Sequence, residues 1–82
     1  MTTDQTIAKL NRTSRNLASV LRRIERRELT GRNGDATEGT IALHLRTGRE
    51  LVNALCASDL DEAQLAKPID RFWAVERRAL GL

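Results

Sequence analysis

Basic and apolar residues separate onto opposite sides of the first predicted helix. When residues are placed at intervals of about 100° around a helix axis, six apolar residues share one side: Ile7, Leu10, Leu17, Val20, Leu21 and Ile24. The basic residues on the other side are Lys9, Arg12, Arg15, Arg22, Arg23, Arg26 and Arg27. This pattern predicts an amphipathic helix with one buried face and one strongly basic, solvent-facing side.

The length of the chain limits how it can be stabilised. Its 82 residues, 1–82, form a single domain, and a domain of this size has a small core. Cys56 is the only cysteine, so no internal disulfide can form, and with one histidine, His44, no tetrahedral zinc site is expected. Self-association is the remaining common means of stabilising a small fold, so we predict a homodimer.

Composition and periodicity favour an all-α fold. Hydrophobic residues make up 40% of the chain but aromatic residues only 2%, so the aromatic and β-branched runs that favour strands are scarce. Helices are predicted at about residues 3–29, 36–57 and 59–80, with a break near Pro68 because proline disfavours helical geometry in the residue before it. Thr2 and Gln5 have capping-box spacing at the first N-terminus. The segments form either an up-down-up three-helix bundle or a helical hairpin that dimerises into a four-helix core.

The second predicted helix has an apolar side that includes a glycine. This side consists of Ile41, Leu45, Leu51, Val52, Leu55 and Cys56, with Gly48 in the same arc. A glycine inside a helix costs up to about 1 kcal/mol, so we expect another helix backbone to approach closely at Gly48. His44 is expected at the border of this side, and Cys56 is expected to be a small buried residue.

The last predicted helix carries both aromatic residues of the chain. Its apolar side consists of Leu65, Ile69, Phe72, Trp73 and Leu80. Phe72 and Trp73 are expected mainly in the core, with an anchor at a partner interface as the alternative. Glu76 lies in the same stripe, and because a lone buried carboxylate is costly, we expect it to reach solvent or to pair with an arginine.

Charge is unevenly distributed along the chain. The net charge is +3, and residues 1–34 hold eight bases against three acids, whereas residues 35–82 hold six bases against eight acids. A basic first half favours either an acidic partner or docking between the two halves. Guanidinium groups suit carboxylates and phosphates. The candidate partner- or anion-binding residues are therefore Arg12, Arg15, Arg22, Arg23, Arg26, Arg27, Phe72 and Trp73.

Three interpretations of the basic side remain open. It contacts an acidic protein surface, it contacts nucleic acid, or it is a solvated face whose arginine stems cover the apolar edge. No aromatic residues interleave with the arginines and no helix-turn-helix is evident, which favours a protein partner. We therefore predict a small non-enzymatic regulator or inhibitor that binds a host macromolecule, with a nucleic-acid-binding accessory protein as the alternative. Short chains with one core, no catalytic site and one strongly charged face often serve as regulators or inhibitors, and on the same ground we expect a phage or mobile-element origin.

No motif for catalysis, phosphate binding or metal binding is present in the sequence, so no enzyme, cofactor or metal site is expected. The most concrete enzymatic alternative is an arginine-lined pocket that uses Arg12, Arg15, Arg46 and Glu50, but no residue pattern places these side chains in one cavity. The first residues lack the pattern of a secretory signal. No apolar stretch approaches the roughly 18 residues that span a membrane, so we expect a cytoplasmic protein without membrane contact.

Overall fold

Over the residues that it describes, the structure, a computed structural model, consists of three α-helices. It describes residues 2–26 and 33–81, with side chains from residue 39 onward in the second range. Helix α1 spans Thr3–Glu25, α2 spans Asn33–Cys56 and α3 spans Glu62–Leu80. No strand occurs in these ranges, so the all-α prediction is confirmed.

Helix α1 begins where the sequence predicts it. Thr2 is the N-cap: its Oγ1 accepts a hydrogen bond from Gln5 N at 3.2 Å, and Gln5 Oε1 accepts one from Thr2 N at 2.9 Å. This reciprocal capping box satisfies two N–H groups at the helix start, where intrahelical partners are lacking. The helix ends at Glu25. Residues 27–29, over which the prediction extended it, lie outside the described residues.

Helices α2 and α3 differ from their predicted bounds. Helix α2 begins at Asn33 rather than near residue 36, and α3 stays helical through Pro68 instead of breaking there. A proline at this position removes the hydrogen bond to the carbonyl of Gln64. Gln64 is exposed and close to the start of α3, so water can replace the lost donor. The helix therefore continues despite the proline.

Apolar side chains from all three helices form one core, and each helix packs against the other two. Burying a leucine or phenylalanine side chain contributes about 1.5–3 kcal/mol, so this cluster is the main stabilising element of the fold. Its buried members are Leu10, Leu17 and Leu21 of α1, Leu45, Leu51, Val52 and Leu55 of α2, and Ile69, Phe72 and Val75 of α3.

Helix α1 also buries three hydroxyl side chains, which apolar patterning does not mark as core residues. Thr6, Thr13 and Ser14 are buried, and each hydroxyl donates to the carbonyl four residues earlier at 2.9–3.0 Å. These hydroxyls are satisfied within their own helix, so they need no polar partner on α2 or α3.

Gly48 is buried where α2 meets α3. A Cβ atom built on Gly48 would overlap Cε2 and Cζ of Phe72 and would lie 2.8 Å from its Cδ2. The close approach predicted at Gly48 therefore exists, but an aromatic side chain makes it rather than a helix backbone. Phe72 is fully buried against this glycine.

Some residues assigned to apolar sides lie at the surface. Cys56 is exposed, so the prediction of a buried cysteine is wrong; it is the last residue of α2 and lies on the flank of its apolar side, about 80° from Gly48. His44 is partly buried, at the border where it is predicted. Among the described residues, the large exposed apolar side chains are Leu43, Trp73 and Leu80, at 55%, 47% and 65% exposure.

Candidate functional site

The solvent-facing side of α1 is basic. Residues 5–24 contain no aspartate or glutamate. Every predicted basic residue of this side that the structure describes is exposed: Lys9, Arg12, Arg15, Arg22, Arg23 and Arg26. Arg27 lies outside the described residues. The α1 basic face consists of Arg12, Arg15, Arg22, Arg23 and Arg26.

The core determines where the α1 basic face points. Leu10, Leu17 and Leu21 are fully buried, and they fix the rotation of α1 about its own axis. Side chains on the opposite side of a helix then project into solvent. The arginines of the face are therefore presented by the fold itself, without the help of a partner.

Most of the α1 basic face takes no part in internal contacts. In the described part of the chain, no side-chain hydrogen bond or ion pair involves Arg12, Arg15, Arg22 or Arg26. Arg23 does interact within the chain. An external anion can therefore engage four arginines of the face without breaking an internal contact.

The carboxylate inside the apolar stripe of α3 is paired. Arg49 Nε of α2 donates to Glu76 Oε2 at 2.8 Å, and the Glu76 side chain is 20% exposed. Of the two predicted alternatives for Glu76, exposure to solvent or pairing with an arginine, the structure shows the pairing. A charge-assisted hydrogen bond of this kind offsets the cost of burying most of the Glu76 side chain.

Two arginines of α3 extend the basic surface next to α1. Arg71 Nη1 donates to Asn11 Oδ1 at 3.3 Å, and Arg78 Nη2 donates to Glu25 Oε1 at 2.9 Å, both at the protein surface. The sequence prediction did not include Arg71 and Arg78, because they belong to the half of the chain that is acidic overall. The net charge of a segment does not tell which of its side chains will lie beside another helix.

Each of these two contacts has an α1 arginine beside it. Positions three or four residues apart lie on the same face of a helix, about one turn apart. Arg15 follows Asn11 at this spacing, and Arg22 precedes Glu25 at this spacing. Each contact therefore joins an α3 arginine to an α1 residue that has an α1 arginine about one turn away. The basic seam consists of these four residues, Arg15 and Arg22 of α1 and Arg71 and Arg78 of α3.

Only one of the two aromatic candidates lies at the surface. Phe72 is fully buried against Gly48, so it belongs to the core and not to a contact surface. Trp73 is about half exposed. It lies about 100° around α3 from Phe72, on the flank opposite to that of Arg71. The structure therefore does not place Trp73 next to the basic seam.

The described residues give no support to a metal site, to a membrane-spanning helix or to the arginine-lined pocket. No group of three or more histidine, cysteine, aspartate or glutamate residues among them is arranged to hold a metal ion. No described helix is both long and apolar enough to cross a membrane. Within residues 2–26 and 33–81, no hydrogen bond or ion pair links Arg12 or Arg15 to Arg46 or Glu50.

Comparisons with protein-family models, curated proteins and solved structures find no match for this chain. What the protein does is therefore inferred from the geometry and charge of its basic surface.

Proposed function

We propose that this protein is a small non-enzymatic regulator or inhibitor that binds an acidic surface of another protein through the α1 basic face. The observation that carries the proposal is the set of exposed arginines on this face that have no hydrogen-bond or ion-pair partner in the described part of the chain: Arg12, Arg15, Arg22 and Arg26. Guanidinium groups form paired hydrogen bonds with carboxylates. A protein surface that carries several carboxylates would complement this face.

Attraction at a distance and pairing at contact would act together in such a complex. At physiological ionic strength, exposed charges attract over about 8 Å, so a basic face increases the rate of encounter with an acidic surface. At contact, arginine–carboxylate hydrogen bonds set the orientation of the two proteins. Inhibition follows where the covered acidic surface is one that the partner needs for its own activity.

A pull-down with a charge-reversal variant tests this proposal. Immobilised wild-type protein and Arg22→Glu/Arg26→Glu are exposed to lysate of the host cell, and the captured proteins are identified. We expect the variant to lose proteins that the wild type captures. The matched control is Arg46→Glu/Arg77→Glu, which reverses two exposed arginines outside the face and should capture the same proteins as the wild type. Identical partner lists from wild type and Arg22→Glu/Arg26→Glu would exclude the α1 basic face as the contact.

The alternative function is that of a nucleic-acid-binding accessory protein that uses the same arginines. The basic seam favours it, because Arg71 and Arg78 widen the basic surface beyond one helix and guanidinium groups also bind phosphates. The position of Trp73 away from the seam argues against it, since a stacking platform for bases is then missing.

A gel-shift series with duplex DNA and with RNA separates the two functions. We expect no shift at about 50 mM salt, where phosphate contacts are strong. A shift that weakens with added salt and disappears in Arg22→Glu/Arg26→Glu would replace the protein-partner proposal with the nucleic-acid alternative.

We infer that the three helices run up, down and up. The two surface contacts between α1 and α3 support this order, because Asn11 meets Arg71 and the later residue Glu25 meets the later residue Arg78. Distances between spin labels at the ends of α1 and α3 would test it. Short distances between the start of one helix and the end of the other would contradict the inference.

We also propose that the protein forms a homodimer. The small core supports self-association, as do Trp73 and Leu80, which are exposed and lie seven residues apart on one side of α3. Sedimentation equilibrium over a range of concentrations tests the proposal, and we expect the average mass to rise toward twice that of one chain. A constant monomer mass at the highest concentration would exclude the dimer.

A further inference from the structure

We propose that the basic seam binds an acidic α-helix of the partner protein, with carboxylates of that helix entering between the α1 and α3 arginines at both ends of the seam. This inference rests on the proposed function, since it requires a protein partner. It adds α3 to the binding site and specifies the form of the partner segment.

The end of the seam nearer the start of α1 and α3 has two guanidinium groups and no carboxylate bound to either in the described part of the chain. The hydrogen bond to Asn11 Oδ1 at 3.3 Å holds Arg71 toward α1. Arg15 lies one turn along α1 from Asn11 on the same flank. The Asn11 amide is neutral, so both guanidinium groups keep their charge and most of their N–H donors for an incoming carboxylate.

The other end of the seam has two guanidinium groups and one carboxylate. Arg78 Nη2 donates to Glu25 Oε1 at 2.9 Å, and both side chains are about half exposed. Arg22 lies one turn before Glu25 and has no internal partner in the described part of the chain. An exposed ion pair is weak, so a carboxylate from a partner can share Arg78 with Glu25 and also reach Arg22.

Small side chains separate the two ends. Ala18 lies seven residues from both Asn11 and Glu25, on the same line along α1, and packs against the core. Ala74 lies between the two seam arginines of α3 and is exposed. A helix can lie close to the protein above these two alanines, with arginines on both of its sides.

The spacing of the seam favours a helix as the bound segment. Arg15 and Arg22 are seven residues apart, about 10.5 Å along α1, whereas Asn11 and Glu25, which hold the guanidinium groups of Arg71 and Arg78, are fourteen residues apart, about 21 Å. Acidic residues that recur every three or four positions on one face of a partner helix present carboxylates along this length. A helix laid along the groove between two helices can therefore meet both ends of the seam at once.

Binding of synthetic peptides to the full-length protein tests the inference. Two fluorescein-labelled, alanine-based helical peptides of identical composition are compared by fluorescence anisotropy at about 50 mM salt. One carries four glutamates on one face, at positions i, i+4, i+7 and i+11, and the other distributes the four glutamates around the helix. We expect the one-face peptide to bind at least about fivefold more tightly, because only it can reach both ends of the seam.

Variants of α3 then show whether that helix contributes. Neutralisation in Arg71→Gln/Arg78→Gln should weaken binding of the one-face peptide about fivefold to thirtyfold, as should Arg15→Gln/Arg22→Gln. The matched control Arg46→Gln/Arg77→Gln should bind like the wild type. The helical circular-dichroism signal and the melting temperature of every variant are measured alongside.

A fourth variant provides a gain of binding, which a loss of folding cannot imitate. Glu25→Gln removes the carboxylate that competes for Arg78, so the one-face peptide should bind about twofold to fivefold more tightly. Weaker binding by Glu25→Gln would contradict the assignment of Arg78 to the site.

The remaining outcomes separate this inference from the proposed function. Wild-type affinity in Arg71→Gln/Arg78→Gln would overturn the inference, while a partner list that still changes in Arg22→Glu/Arg26→Glu would preserve the proposed function. Equal affinity for the two peptides would overturn the helical form of the segment. Failure of both peptides to bind, together with duplex-DNA binding that is lost in Arg22→Glu/Arg26→Glu, would overturn both.

Discussion

Gly48 of α2 and the ring of Phe72 of α3 meet so closely that a methyl group on the glycine would overlap the ring. Gly48→Ala should therefore destabilise the protein. Overpacking a core costs about 1–3 kcal/mol, whereas the better helix propensity of alanine returns up to about 1 kcal/mol. We expect a net loss of about 1–2 kcal/mol and a melting temperature lowered by about 5–10 °C, measured by circular dichroism.

The same substitution at another glycine of α2 is the control. Gly39 is exposed and has no atom within 4 Å of a Cβ built on it, so Gly39→Ala should stabilise the protein by about 0.5–1 kcal/mol. In the double variant Gly48→Ala/Phe72→Leu, the smaller side chain relieves the overlap, and the loss should be smaller than the sum of the two single losses. Wild-type stability in Gly48→Ala would contradict the packing described between Gly48 and Phe72.

The two neighbouring aromatic residues should respond very differently to truncation. Phe72 is fully buried, and Phe72→Ala should cost about 3–5 kcal/mol. Trp73 is about half exposed, so Trp73→Ala should cost less than about 1.5 kcal/mol. Urea unfolding followed by far-ultraviolet circular dichroism measures both, since Trp73 is the only tryptophan and its removal abolishes the fluorescence signal. Equal losses would place Trp73 in the core as well.

Several features that depend on one helix could be predicted from the sequence, although the break expected at Pro68 was not among them. The periodicity of α1 identifies its buried leucines and its basic face, and the Thr2–Gln5 spacing identifies the cap. The position of Glu76 within an apolar stripe predicts that its carboxylate reaches solvent or pairs with an arginine, because a lone buried carboxylate is costly, and the structure shows the pairing. Each of these inferences uses local spacing and the chemistry of single side chains.

The parts that depend on contacts between helices could not be predicted in this way. A helical wheel places Arg71 and Arg78 on one flank of α3, but it does not tell which helix lies beside that flank. It marks Gly48 as a point of close approach without identifying the ring of Phe72. Cys56 lies at the border of an apolar arc, where the exposure depends on how far the neighbouring helices extend.

The two ion pairs between helices should contribute unequally to stability. Glu76 is mostly buried, whereas Glu25 is about half exposed. Glu76→Ala should cost about 1 kcal/mol, and Glu25→Ala less than about 0.5 kcal/mol, as is typical of exposed pairs. Glu76→Leu should be at least as stable as Glu76→Ala, because an apolar side chain suits the surrounding stripe. Urea unfolding curves measure all three, and a larger loss for Glu25→Ala would contradict this ranking.

The exposure of Cys56 predicts rapid chemical modification of the native protein. A thiol that is accessible in the folded state reacts without prior unfolding. We expect a chromogenic disulfide reagent to modify one thiol per chain at a rate within about tenfold of that measured in denaturant. Cys56→Ser should abolish the reaction and leave the melting temperature within about 2 °C of the wild-type value. Strong protection in the native state would show that the thiol is covered.

Neutralising the unpaired arginines of the α1 basic face should leave the fold intact and slightly more stable. Arg22 and Arg26 are four residues apart, and Arg12 and Arg15 are three residues apart, so each pair repels by about 0.2–0.5 kcal/mol. The variant that replaces all four with glutamine loses this repulsion and keeps similar helix propensity. We expect its free energy of unfolding to equal or exceed that of the wild type at low salt.

Comparing the stability of the wild type and the four-glutamine variant at low and high salt provides the control. Added salt should stabilise the wild type more than the four-glutamine variant, because screening removes repulsion that only the wild type has. If the arginine stems instead cover the apolar edge of α1, the variant should lose stability at every salt concentration. Urea unfolding at about 20 mM and about 500 mM salt distinguishes repulsion between the arginines from coverage of the apolar edge by their stems. A loss of stability at both salt concentrations would show that the arginines of the face stabilise the fold. An unchanged or greater stability would show that their charge is available for binding.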